Sequence, residues 1–424
     1  MSLRISLTCC CMALIASSSL PAGEMASPSQ IFCEEDRLTG NWLGLRDGLA
    51  EDGVTFELYG TQFYQGVTSG GLQQEGEYGG KFDYLAHGDG AAWGLPGFFI
   101  DMHGESRLGT TVNQIDGLLT PSNIAMAFPE PEGNVTALTA LKLTQALSPN
   151  FAIFAGKINT LDEYPIRYSA APSLSRPGIG GFMNTSLVFN PIAARTVPYS
   201  AAAVGAAILH EGEPVFSLTI MDPEERATIG LEGLYEEGVT IVPDLVLKGE
   251  LFDRPTLLNI GGTYGTADYQ SVDPASYLLI PMIGLVSQEE SGSWSFYANG
   301  YHALWVDSND RTRTWGVFGQ FGVSDGNPNP VRFVANGGVA GRSMLRGRTL
   351  DTFGAAFFYV GLSDEIKTLT AQIRPQQDEY GTELFYNFAV TKWCRLTADL
   401  QVVRPSTQRL ETAVIPGMRL ELTF

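Results

Sequence analysis

The chain has 424 residues, 44% of them hydrophobic and only 17% charged, and a net charge of −20 from 26 basic and 46 acidic side chains. An average soluble domain carries roughly 25% charged residues. The acidic balance excludes a nucleic-acid binder, which needs a basic face to neutralise phosphates, and fits solvated acidic loops that aid solubility. Mean hydropathy is +0.02, and glycine (48 residues) and aromatics (11%) are plentiful. That mix suits many strands joined by many turns, with rings placed at interfaces.

Residues 1–22 read as a signal peptide. Arg4 supplies the positive end, Ile5 to Ala16 the apolar run, and Ser17 to Ala22 the small residues before cleavage. The run is too short for a spanning helix, which takes about 18 apolar residues or more. Cleavage removes Cys9, Cys10 and Cys11 and leaves Cys33 and Cys394. Two cysteines make neither a disulfide framework nor a zinc site. One Cys33–Cys394 bridge stays open to a chain in an oxidising compartment.

Within residues 23–53 the stretch Leu38 to Gly53 predicts a short helix. Trp42, Leu45 and Leu49 recur at spacings of three and four, Asn41 suits the cap and Gly53 the stop. Three internal glycines weaken it.

From residue 54 the period changes to strict alternation, and no linker or repeat divides 54–424. In Ile100 to Leu108 one face carries Asp101, His103, Glu105 and Arg107; the other carries Ile100, Met102, Gly104, Ser106 and Leu108. Leu396 to Val402 and Glu383 to Phe388 alternate in the same way. In the last strand Met418, Leu420, Leu422 and Phe424 oppose Arg419, Glu421 and Thr423. A soluble sandwich and a membrane barrel both produce this pattern. Length separates them: segments 54–66, 97–108, 293–305 and 411–424 match the roughly 9 to 11 tilted residues that cross a bilayer, whereas ordinary strands average about five or six. Roughly sixteen to eighteen such segments are expected, an even number in bacterial barrels. Ending on Phe424, in phase with the apolar face, is unlike the polar tail of a soluble domain. It looks like the signal that hands outer-membrane barrels to their assembly machinery.

An enzyme needs a constellation that the sequence does not present. Four histidines, His87, His103, His210 and His302, form no His-Glu-x-x-His motif and no pair at metal spacing. Neither a Gly-x-Ser-x-Gly elbow nor a phosphate loop is present. Asp325, Asn327 and Asn329 mimic the start of a calcium loop, but Pro330 and Asn336 occupy the positions that need Gly and Glu. Turn chemistry is the better reading there. No metal and no cofactor is expected.

Several strings resemble the carbohydrate-selective porins of the OprB type. They are Leu38-Thr39-Gly40-Asn41-Trp42-Leu43-Gly44-Leu45-Arg46 followed by Gly53-Val54-Thr55-Phe56; Ala146 to Lys157; Gly319 to Pro330 with Asp351-Thr352-Phe353-Gly354; and Glu383 to Asn387, Leu396 to Gln401, Arg404-Pro405 and Gly417 to Leu420. The resemblance spans residue 38 to the end. It implies an all-β, sixteen-stranded antiparallel transmembrane barrel in the bacterial outer membrane, monomeric, with residues 23–53 as a periplasmic segment and 54–424 as the porin domain. Inward loops would narrow a pore that passes glucose and related sugars, with outer-membrane lipid and the barrel-assembly machinery (through Phe424) as the other partners. The sequence departs from the family at Ala398, where a proline is usual, and at Cys394, departures assigned to the last turn.

A hexose presents hydroxyls around an apolar ring, so its path needs charged and amide groups beside aromatic faces, and binding weak enough for exit. On the inward phase Glu57, Asp101, His103, Glu105, Arg107, Lys142, Lys157 and Arg419 are the candidate pore-lining residues, with the stripe Asp101, Glu105 and Arg107 favoured. Tyr59, Trp93 and Trp305 fit an interface girdle. Two alternatives stay open: an outer-membrane barrel enzyme such as a lipid hydrolase, which would need a serine for His302, and a secreted carbohydrate-binding β protein.

Overall fold

The computed structural model describes residues 35–130, 133–164, 181–280 and 284–424. The signal peptide and Cys33 therefore lie outside the described residues, and Cys394 is a free thiol. In chain order the strands are β1 (Val54–Gly66), β2 (Gly76–Asp89), β3 (Phe98–Gly109), β4 (Val135–Ser148), β5 (Phe151–Asn159), β6 (Ser200–His210), β7 (Glu213–Met221), β8 (Thr240–Leu251) and β9 (Arg254–Gln270). After a small hairpin, β10 (Tyr277–Ile280) and β11 (Gly284–Ser287), come β12 (Glu289–Val306), β13 (Thr314–Ser324), β14 (Val331–Arg342), β15 (Thr352–Leu362), β16 (Glu379–Ala389), β17 (Cys394–Arg404) and β18 (Ala413–Thr423). Among the described residues all but the hairpin join one closed antiparallel barrel of sixteen strands. Closure is by β1 on β18, in register from Tyr59↔Thr423 to Gln65↔Gly417. A closed barrel leaves no unpaired strand edge, which is what lets a sheet cross lipid.

The two ends differ. At one end the connections are tight, among them Pro149-Asn150, Glu211-Gly212 and Phe252-Asp253; at the other they run long, at 110–134, 160–199, 222–239 and 271–288. We call these the turn end and the loop end. At the turn end α1 (Leu45–Glu51) precedes β1, shorter than the predicted helix and led by a 3-10 turn at Trp42–Gly44. Gly44, in the left-handed region, rather than Asn41 stands at the N-cap of this helix; the Asn41 side chain instead accepts from Asp47 N (3.2 Å). Gly53 stops the helix at φ +80, where a Cβ would meet Ala92 Cβ and Asp89 O at 2.7 Å. Arg46 Nη2 donates to Phe424 O (2.8 Å), tying this segment to the last residue.

Alternation sets the two faces. Leu384, Leu400 and Met418 point outward and are exposed, while Glu383, Asp399 and Arg419 point inward and are buried. Ala398, placed with the last turn on sequence grounds, sits instead midway along β17, opposite Tyr386 and Met418, on the outer face.

The lumen departs from a uniformly polar wall. From β6 round to β16 many inward positions are apolar: Ala201, Val242, Tyr297, Tyr301, Phe318, Val334, Phe358 and Phe385 are all buried. They enclose Phe182, Leu187, Val188, Phe189, Ile192 and Val197 from the 160–199 connection in one hydrophobic cluster. Phe182 alone meets Phe385 edge-on at 4.9 Å and Phe318 at 5.6 Å. Burying such a ring contributes about 2 kcal/mol over leaving it in water. A dry core inside the barrel thus pushes the open space toward the opposite wall.

Candidate functional site

The opposite wall is charged. Inward positions of β2 and β3 bring Lys81, Asp83, His103, Glu105 and Arg107 together, all buried. Antiparallel register places Lys81 across from Arg107 and Asp83 across from Glu105. Lys81 Nζ pairs with Glu105 and lies 3.8 Å from Asp83. His103 Nε2 faces Asp83 Oδ1 at 3.2 Å, and its Nδ1 faces Asp162 Oδ2 at 2.6 Å. An imidazole that donates from both nitrogens is the cationic form. Glu105 also accepts from Tyr199 OH (2.5 Å) and Asn159 Nδ2 (3.4 Å). Opposite charges at such density satisfy one another, which is what burial demands. Asp83, His103 and Glu105 have the ligand types and spacing of a metal site, but the Lys81 ammonium already lies against two of the three carboxyl and imidazole groups' shared space, so the geometry is that of an ion-pair network.

The described parts of two loop-end connections descend into the lumen. In 110–134, Met126 O accepts from Arg107 Nη1 (2.7 Å), and Asn123 Nδ2 donates to Gln65 Oε1 (2.6 Å). Glu379 accepts from Leu119 N (2.7 Å), Thr120 N (2.9 Å), Thr120 Oγ1 (2.6 Å) and Ser406 N (3.2 Å). In 160–199, Glu383 accepts from Met183 N (2.5 Å) and Asn184 N (2.9 Å), and Arg419 Nη2 donates to Gly181 O (3.0 Å). The two connections also hold each other, through Ile124 N to Met183 O (3.0 Å) and Thr185 N to Pro121 O (2.9 Å).

Open space lies on both sides of this waist. An inner cavity of about 400 Å³ is lined by Glu57, His87, Asp101, His103, Lys142 and Asp162, among others. An outer cavity of about 530 Å³ toward the loop end is lined by Phe128, Glu130, Phe189, Arg195, Tyr199 and Glu225, among others. Phe128 stacks on Tyr199 with centroids 4.4 Å apart. Glu225 accepts from Tyr199 N (2.6 Å), Ala227 N (2.9 Å) and Ser200 N (3.1 Å), and burial pushes its carboxyl above the usual range against those hydrogen bonds.

Of the eight residues picked from sequence, Glu57, Asp101, His103 and Lys142 line the inner cavity. Glu105, Arg107 and Arg419 are buried against the waist. The structure separates Lys157 from these seven. Register sets it opposite Leu141 and Ala202, on the outer side of the pleat, and its Nζ donates to Ala227 O. Asp325 and Asn327 act in turns, Asp325 accepting from Trp294 N and Asn327 from Val272 N. His302 meets Thr256 Oγ1 at 2.8 Å rather than a serine. Sequence reasoning missed Lys81, Asp83, Asn159, Asp162, Tyr199 and Glu383. For the first two the signal was present: Lys81-Phe82-Asp83-Tyr84 alternates charge with aromatic in the phase of the neighbouring strand.

A closed sixteen-stranded barrel with apolar flanks, tight turns at one end, long loops at the other and a charged, loop-narrowed lumen is a bacterial outer-membrane diffusion pore. Its kind is more specific. Residues 42–424 match the profile of the family described as carbohydrate-selective porin, OprB family, and the chain belongs to that family. It is similar in fold to the high-pH structure of Pseudomonas putida OprB, with TM-score 0.79 and 18% identity over 92% of this chain and 99% of that one. Against the low-pH structure of the same protein the TM-score is 0.57 at 17% identity, with the same coverage. No curated protein sequence matches the chain.

Proposed function

We propose that sugars cross this barrel by passive diffusion along its charged wall, from the outer cavity past the waist to the inner one. The turn end then faces the periplasm, as tight turns do in outer-membrane barrels. The observation that carries this path is the pair of cavities in series, about 530 and 400 Å³, on either side of Asn159 and Tyr199. The dry core on the β6–β16 side leaves the charged side as the route.

The chemistry of each cavity suits a hexose. The outer one offers Phe128 and Phe189 for the apolar faces of the ring, with Glu130, Arg195 and Glu225 for hydroxyls. The inner one offers Glu57, His87, Asp101 and Lys142. His87 and Asp101 already pair at 2.7 Å, and both are exposed to the lumen. Such groups exchange partners with a passing hydroxyl at small net cost, since each bond to the sugar replaces one already made. Favourable entry with ready exit is what a diffusion pore requires. Liposome swelling tests this: D101N and H87Q should slow sugar entry relative to a small neutral solute of similar size. Equal rates for parent and variants would remove these groups from the path.

A further inference from the structure

The 160–199 connection begins with a single helical turn, α2 (Thr160–Glu163), and that turn stands between the two cavities. Thr160 and Leu161 line the outer cavity, while Asn159, Asp162 and Glu163 line the inner one. The wall between the two spaces is therefore one turn thick at this point. One turn has no stability of its own, because helix nucleation is unfavourable and three or more turns are needed to offset it. Its position has to come from its attachments.

Those attachments fall into two sets. On the outer side, Thr160 N donates to Tyr199 O (2.8 Å) and Thr160 Oγ1 to Pro198 O (2.8 Å), so the first residue is tied to the far end of the same connection. The Asn159 side chain caps the turn through Leu161 N (3.0 Å). On the inner side the two acidic residues of the turn each meet one cation of the barrel wall. Asp162 Oδ2 lies 2.6 Å from His103 Nδ1 on β3, and Glu163 Oε1 pairs with Lys142 Nζ on β4. His103 is itself held by Asp83 Oδ1 at 3.2 Å and has Glu105 Oε1 at 3.7 Å; Lys142 lies over the Phe154 ring at 5.8 Å. Both cations are thus fixed from behind, and the turn is what they fix.

We infer that α2 is the adjustable partition of the pore, and that His103 and Lys142 are positioning residues that pin it through Asp162 and Glu163. This rests on the porin reading. The pins set how far α2 reaches into the lumen, and so how wide the passage is between the cavities. Without them the turn is held only at its two ends, by Thr160 and by the buried Tyr164, whose OH donates to Thr219 Oγ1 (2.8 Å), and the Asp162–Glu163 edge between them loses its ion pairs to the wall.

The test uses purified full-length protein, folded in detergent and checked by heat-modifiable gel migration, then placed in planar bilayers and in sugar-loaded liposomes. E163Q is the mild variant, since that carboxylate is partly exposed; D162N and H103Q cut the deeper pin. Each should raise neutral-sugar entry roughly twofold or more and make single-channel current noisier, because lumen width and lining set transport. Liposome swelling with a neutral solute reports width free of any change in the ion field. The paired exchange K142E/E163K rebuilds the second pin with its charges reversed and should return sugar entry and noise to parental levels, while K142E and E163K alone should not. Parental sugar entry and quiet current in E163Q and D162N would overturn the inference, as would an exchange variant as leaky as its single parents. Failure of the porin reading would show differently, as a parental protein that folds yet forms no channel.

Discussion

Glu383, midway along β16, accepts the backbone N–H of Asn184 at 2.9 Å, joining residues 199 positions apart. The same carboxylate accepts from Met183 N at 2.5 Å, so one side chain holds two consecutive amides of the inward connection against the barrel wall. Glu383→Gln keeps one acceptor and turns an amide NH₂ toward a backbone N–H. Leaving a buried donor unsatisfied costs about 1–3 kcal/mol, small beside a closed sixteen-strand ladder but large for one loop. The barrel should stay heat-modifiable on gels while single-channel conductance rises and block by sugar weakens. Unchanged conductance would mean that the connection is held elsewhere.

Glu379 plays the matching part for the other inward connection, accepting from Leu119, Thr120 and Ser406. Glu379→Ala removes all of those acceptors at once. Limited proteolysis from the loop end should then cut within 110–130 of the folded variant and leave the parent intact. Cleavage at the same rate in both proteins would contradict this role.

The fold was more legible than the path through it. Alternation bounded β1 at 54–66, as observed, because lipid on one side and a polar lumen on the other impose a period of two. The same rule put Asp101, His103, Glu105 and Arg107 on one inward stripe. It failed at Lys157 because the charge was read as inward, whereas the register runs unbroken through Gly156 and keeps Lys157 in the outward phase of Ile153 and Ala155. It was also silent about β12 to β15: where the inward residue is Tyr297, Phe318 or Phe358, both faces are apolar and the period carries no sign of what fills the lumen. Asp162 and Tyr199 were out of reach for another reason. Their partners, His103 and Glu105, lie 59 and 94 positions away, and only the descent of the connection brings them together.

Glu225 gives a pH dependence at the loop end. Burial raises its carboxyl above the usual range. A raised acid favours the folded arrangement fully below its unfolded value and loses that contribution as pH rises through the folded one. Hydrogen exchange at Tyr199 and Ser200, corrected for intrinsic rate, should therefore show less protection as pH climbs above the ordinary carboxylate range. Glu225→Gln should flatten that profile. Protection that grows with pH in the parent would contradict it.

Asp351 gives the opposite sign at the turn end. Burial pushes its carboxyl up, but hydrogen bonds from Arg348, Tyr386 OH (2.7 Å) and Ala389 N (2.9 Å) outweigh that and hold it below the usual range. Its contribution is present above the unfolded carboxylate value and is lost as pH falls through the lowered one. Asp351→Asn should lower the gel-shift melting temperature at neutral pH. The gap to the parent should close in acid below that lowered value. A gap that widens in acid would be inconsistent with the assignment.

On the proposed path, sugars cross this barrel past a waist on its charged wall. Single-channel current of the purified protein, recorded in a planar bilayer while glucose is added to both sides, tests it most directly. Discrete steps are expected, with a conductance that falls saturably with sugar, beyond the fall in bulk solution conductivity, and falls less in Asp101→Asn. Channels whose current tracks bulk conductivity alone, or a folded protein that makes no steps, would contradict it.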